Sequence, residues 1–104
     1  MHLILKGKAE EVLPEDIALR VLSQLINMLG VTLLESTRAE TDSGYSLAWI
    51  ISESHIALHY YYKILNIDIF SCKEFSDEEV THFLVDNFKI IEIQYHKLLL
   101  RGFK

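Results

Sequence analysis

The sequence predicts an α+β fold: a two-layer sandwich in which a largely antiparallel sheet carries two helices on one face, built from repeated strand–helix–strand units. Three observations predict it. Two segments, one opened by Pro14 and one by Ser76, carry apolar residues at helical spacing. The segments around them are rich in isoleucine, leucine and tyrosine and lean towards strand. The joints are short turn signals, with no low-complexity linker.

The elements follow in order. His2-Leu3-Ile4-Leu5-Lys6 is an apolar first strand. Pro14 suits the first turn of a helix, where its missing N–H costs nothing. Glu15 and Asp16 complement the positive end of the helix dipole. Ile17, Val21, Leu25 and Met28 recur at helical spacing and predict its buried face, and Gly30 offers the stop. Val31 to Ala39 reads as a strand, Asp42-Ser43-Gly44 as a turn, and Tyr45 to Ser52 as the next strand. His55 to Tyr62 and Leu65 to Ser71 are β-leaning. Ser76-Asp77-Glu78-Glu79 is a capping box that opens a second helix running to Phe88, with Val80, Phe83, Leu84 and Asn87-Phe88 facing inward. Ile90 to Leu99 is a final strand. With both helices on one side, the other sheet face is left for something else to cover.

The 104 residues are expected to form one domain, 1–104. A chain of this size buries a modest fraction of its surface, so dimerisation is a natural supplement. Hydrophobic residues make up 50%, which argues against disorder. The net charge of −5 argues against a nucleic-acid partner, which calls for a basic face, and suits a cationic substrate or product. The single cysteine, Cys72, rules out an intramolecular disulfide and fits a reducing compartment. The apolar core near Met1 is too short for a signal peptide, and no run approaches the roughly 18 apolar residues of a membrane span. A cytoplasmic protein without membrane association is expected.

Residues 52–72 read SESHIALHYYYKILNIDIFSC. Ser54 follows the apolar, strand-like run Leu47-Ala48-Trp49-Ile50-Ile51. A hydroxyl on a taut backbone can attack the carbonyl of the residue before it. Taken singly, each residue has an ordinary reading. Ser54 would be a strand-end serine, His59 a partly buried histidine beside tyrosines, and Cys72 a small buried hydrophobe. Tyr60, Tyr61 and Tyr62 would be a packed aromatic strand, or a surface that faces a cation or a base. His55 and His59, four apart, hint at a metal pair, but that spacing works best on a helix and no third ligand stands out. No metal is expected.

Taken together, the pieces are specific. The opening strand, Gly44-Tyr45-Ser46, Glu53-Ser54-His55, His59, and Asp68-Ile69-Phe70-Ser71-Cys72 occur in order between His2 and Cys72. This arrangement resembles the bacterial and archaeal S-adenosylmethionine decarboxylases, which make their own pyruvoyl cofactor from such a serine. The resemblance implies self-cleavage between Glu53 and Ser54. Ser54 Oγ would attack the Glu53 carbonyl and give an ester. Loss of the Ser54 Cα proton would expel the new carboxylate, and hydrolysis would release ammonia and leave a pyruvoyl group derived from Ser54. The products would be residues 1–53 and 54–104.

The resemblance also implies roles. His59 would remove the Cα proton, Ser46 would hold the oxyanion, and Cys72 would return a proton to the substrate carbon after carbon dioxide leaves. The pyruvoyl carbonyl would accept the electrons that decarboxylation releases, as pyridoxal does. The implied partners are a small amino-acid substrate, S-adenosylmethionine first, and a second copy of the chain. An extended strand would separate Ser46 from Ser54 by roughly 26 Å. A homodimer is therefore expected to join Ser54 and Cys72 of one chain to Ser46 and His59 of the other. Where the family has Thr-Trp-Pro-Glu after its histidine, this chain has Tyr60-Tyr61-Tyr62-Lys63, and lacks the glutamate that is a candidate ribose ligand; Asp68 or Glu74 are possible replacements. The alternatives are a decarboxylase of arginine or ornithine and an unprocessed, non-catalytic regulatory homologue.

Overall fold

The computed structural model describes residues 1–52 and 54–100; Glu53, one side of the expected cleavage site, lies outside the described residues. The elements run β1 (His2–Ala9), α1 (Glu15–Leu29), β2 (Leu33–Thr41), β3 (Gly44–Ile51), β4 (Ser54–Tyr61), β5 (Ile64–Phe70), α2 (Asp77–Asn87) and β6 (Ile90–Leu99). The six strands form one sheet in the order β2-β3-β4-β5-β1-β6, and every neighbouring pair is antiparallel. With two helices on one face, this is the α+β sandwich the sequence predicts.

Strand alternation builds the core. Leu47, Trp49 and Ile51 of β3, Ile56, Leu58 and Tyr60 of β4, Leu65, Ile67 and Ile69 of β5, and Leu3 and Leu5 of β1 point to the helical side and are buried. Each is met by α1 or α2 through one shared cluster that includes Leu22, Leu25, Leu84 and Phe88. The in-between residues of β3, β4 and β5 face the other way and are half-buried or exposed. That open face carries Ser46, His59 and Tyr61, whereas Ser54, at the start of β4, falls in phase with the buried residues.

Helix α1 starts one residue later than expected. Pro14 is its N-cap, with φ −54° and ψ 144°, and its carbonyl accepts from the amides of Ile17 and Ala18. The buried stripe is Ala18, Val21, Leu22, Leu25, Ile26 and Leu29. Ile17 and Met28, expected inside, are 38% and 44% exposed, because the helix turns its contact face about one position towards the C-terminus. Gly30 closes the helix in the left-handed conformation, φ 67°, as its lack of a Cβ allows. In α2, Ser76 caps as expected: its Oγ accepts from the Glu79 amide at 3.2 Å. The edge strand β2 is exposed along its length. Besides its ladder to β3 it is clasped to α1 by a two-pronged ion pair, in which Arg38 Nε and Nη2 donate to the two Glu15 carboxylate oxygens at 2.6 Å each. No helix among the described residues is long and apolar enough to cross a membrane.

Candidate functional site

The sequence-predicted residues gather in two separate constellations at opposite ends of the β3–β4 hairpin. The ladder pairs Ile51 with Ser54 at one end and Ser46 with His59 five positions along. At strand rise the two pairs stand roughly 17 Å apart.

The first constellation is Ser54 with Cys72. Ser54 is the first residue of β4 and 6% exposed. Its Oγ accepts from the Cys72 amide at 2.8 Å and lies 3.2 Å from Cys72 Sγ. Eighteen positions separate the two in sequence. They meet because β5 returns alongside β4 and delivers Cys72 just past its last paired residue, Phe70. The amide fixes the serine oxygen and leaves the sulfur within hydrogen-bond reach of it. A cavity of about 220 Å³ opens beside them, lined by Val31, Ser52, Ser54, Cys72 and Lys73. Lys73 is tied across its rim, with Nζ donating to the Gly30 carbonyl at 2.5 Å. Two residues before Ser54, Ser52 has φ 56°. A residue with a Cβ pays on the order of 1 kcal/mol for that left-handed geometry, so the backbone at Ser52 is strained.

The second constellation is Ser46, His59 and Tyr61. Ser46 Oγ lies 2.7 Å from His59 Nδ1 and 3.0 Å from Tyr61 Oη. All three point to the open face, because Ser46 on β3 and His59 on β4 are cross-strand partners and Tyr61 is two residues beyond His59. A small cavity of about 140 Å³ lies against the pair, lined by Ser46, His59, Ala48, Ala57 and residues 37–39 of β2.

A third group was not foreseen. His2 Nε2 and Asp68 Oδ1 are 2.5 Å apart, and His55 Nε2 approaches the same oxygen at 3.5 Å. His55 also stacks on Phe70, with ring centroids 5.6 Å apart and planes 13° from parallel. His55 and His59 therefore have different neighbours on one face, with Ala57 between them, and form no pair. Asp68, a possible stand-in for the missing glutamate, is engaged by these histidines. His2 Nδ1 is buried without a hydrogen-bond partner among the described residues. Nothing in the local sequence marks the group, because β1 reaches β5 only through the long-range ladder that sets His2 opposite Phe70.

The three tyrosines part company. Tyr60 faces the helices, is fully buried, and donates to the Glu11 carbonyl at 2.6 Å. Burial raises its pKa above that of an ordinary phenol. It is a core residue, and the expectation that it meets a ligand is corrected by its direction on the strand. Tyr61 belongs to the second constellation, and Tyr62 is 80% exposed in the turn to β5 with φ 52°.

Comparison with known proteins adds a family. The family model described as S-adenosylmethionine decarboxylase matches residues 5–101. No curated protein sequence matches the chain. Among solved structures the chain is similar to the adenosylmethionine decarboxylase of Aquifex aeolicus VF5, with a TM-score of 0.79 and 14% sequence identity, over 99% of this chain and 90% of that one. At that identity the likeness speaks for the fold.

Proposed function

Because this chain belongs to the S-adenosylmethionine decarboxylase family, we propose that it is a self-processing decarboxylase that cuts itself between Glu53 and Ser54 and acts on S-adenosylmethionine, supplying aminopropyl groups for polyamine synthesis. The observation that carries this reading is the contact of Ser54 Oγ with the amide and the thiol of Cys72, two residues after the left-handed Ser52. The surroundings fit a pyruvoyl group derived from Ser54: the position is nearly buried, it touches a thiol, and a cavity opens beside it. Such a group supplies an electron sink for decarboxylation.

The chain's own residues do the rest. The Cys72 amide orients Ser54 Oγ for attack on the Glu53 carbonyl, and the hydroxyl proton passes to the Ser54 nitrogen as the bond between that nitrogen and the Glu53 carbonyl breaks. His59 accepts the Ser54 Cα proton and Ser46 donates to the oxyanion. Within one chain these two stand roughly 17 Å from Ser54, so the reading requires a second copy. The open face of one copy, which carries Ser46 and His59, would have to meet the strand ends of the other, where Ser54 and Cys72 lie. Ser54 and Cys72 of one chain then complete a site with Ser46 and His59 of another, and Cys72 returns the proton to the substrate carbon.

Intact mass tests the cleavage. Wild type should resolve into fragments 1–53 and 54–104, the second lacking the mass of the serine amine, while Ser54→Ala stays one chain. Mixing Ser54→Ala with His59→Ala chains should restore cleavage to the His59→Ala subunits. A wild type that stays full-length with hydroxylamine sinks the enzyme reading in favour of a regulatory homologue. A monomer by light scattering sinks the shared site.

A further inference from the structure

The geometry points to Tyr61 as a positioning residue that fixes the proton on Ser46 and, through it, the tautomer of His59. The inference rests on the reading above for its catalytic meaning, but its structural content stands on three oxygen and nitrogen atoms.

A serine hydroxyl has two lone pairs and one proton. Two ring-bearing neighbours lie within hydrogen-bond distance of Ser46 Oγ: His59 Nδ1 at 2.7 Å and Tyr61 Oη at 3.0 Å. A phenol is more acidic than an alkyl hydroxyl, so between Tyr61 and Ser46 the better donor is Tyr61. With that lone pair filled, two arrangements remain. Ser46 can spend its proton on His59 Nδ1, which leaves one lone pair empty. Otherwise His59 Nδ1–H donates to the second lone pair and the Ser46 proton points outward. The second uses both lone pairs and the proton, and only it fits both roles assigned above. Nδ1–H on the ring leaves Nε2 as the free base, and the outward Ser46 proton is a donor for a developing oxyanion.

The fold supplies the third member cheaply. Tyr61 pairs with Gly44 across the β3–β4 ladder, and Gly44 carries no side chain. A tyrosine opposite a glycine can reach the diagonal neighbour two positions on, which is Ser46. The tyrosine ring of Tyr61 is half-buried, so its hydroxyl is held against the sheet and not swept into solvent.

The test is nitrogen NMR of histidine-labelled protein in the Ser54→Ala chain, which cannot cleave, with His59→Gln used to identify the His59 signals. His59 should carry its proton on Nδ1. In Tyr61→Phe, which keeps the ring, His59 should move to the Nε2–H form that free imidazole prefers. Tyr95→Phe, a tyrosine on β6 46% exposed, should leave the His59 signals unchanged. In the cleavable chain Tyr61→Phe should slow processing about 5–10-fold, the worth of one neutral hydrogen bond. An Nε2–H form in the parent, or His59 signals indifferent to Tyr61→Phe, overturns the inference. Failure of the wild type to cleave would remove the decarboxylase reading while the nitrogen spectra still decide the role of Tyr61.

Discussion

Ser54 Oγ and Cys72 Sγ meet at 3.2 Å where the ends of β4 and β5 come together. The contact joins a nearly buried hydroxyl to the one thiol in the chain. It separates two duties that Cys72 can have, because its amide orients the serine while the proposed function gives its sulfur the proton for the substrate carbon.

Cys72→Ala therefore keeps the orienting amide and loses the acid. Cleavage at Ser54 should survive, slowed by a small factor. Release of labelled carbon dioxide from carboxyl-labelled S-adenosylmethionine should fall about 100-fold or more, the usual worth of a positioned proton donor. Arginine and ornithine serve as competing substrates in the same assay. Turnover equal to wild type would remove Cys72 from the role of donor.

Gly44→Ala should be among the most damaging single substitutions. A Cβ built there would come 1.9 Å from the Tyr60 carbonyl oxygen and 2.9 Å from Tyr61 Cα, both backbone atoms that cannot swing away. The hairpin would have to open, at a cost of about 3 kcal/mol or more, readable as a lowered urea midpoint. A stability unchanged from wild type would show that the β3–β4 ladder can shift without penalty.

Stability should also fall in alkali. Burial, with the neighbouring Tyr60 charge, pushes the Tyr45 phenol well above its ordinary value, and burial also raises Tyr60. A raised folded pKa means that the fold holds the neutral form. The contribution is complete below the ordinary phenol pKa of about 10 and is lost as pH rises beyond it. Unfolding monitored by far-UV dichroism should show declining stability above that pH. Tyr45→Phe should flatten the decline while costing about 1 kcal/mol for the lost bond from its hydroxyl to the Leu13 carbonyl.

The strands and helices were legible because their signals are local. The expected final strand, Ile90 to Leu99, matches β6 residue for residue, and Ser76 caps α2 as its box predicts. On the inward face of α1, Val21 and Leu25 are buried as expected and Ile17 and Met28 are not, because apolar spacing alone does not say that small Ala18 lies at the contact while Ile17 leans out. The separation of Ser46 from Ser54 was legible only in direction: the roughly 26 Å expected of an unbroken strand becomes roughly 17 Å because the chain reverses and pairs Ile51 with Ser54. The direction of Tyr60 did not, since three consecutive tyrosines give no phase; the buried Leu58 and Ile56 set it. The His2–Asp68 contact was out of reach, because it depends on which strands become neighbours in the finished sheet.

Strand order has one more consequence. A cut between Glu53 and Ser54 would assign β1, α1, β2 and β3 to one fragment and β4, β5, α2 and β6 to the other. The halves do not lie side by side. β1 from the first is threaded between β5 and β6 of the second, so they share three seams: β3 with β4, β5 with β1, and β1 with β6. Two nicked pieces would therefore be woven together like the weft of a cloth, and would travel as a single body until the whole sheet unravels.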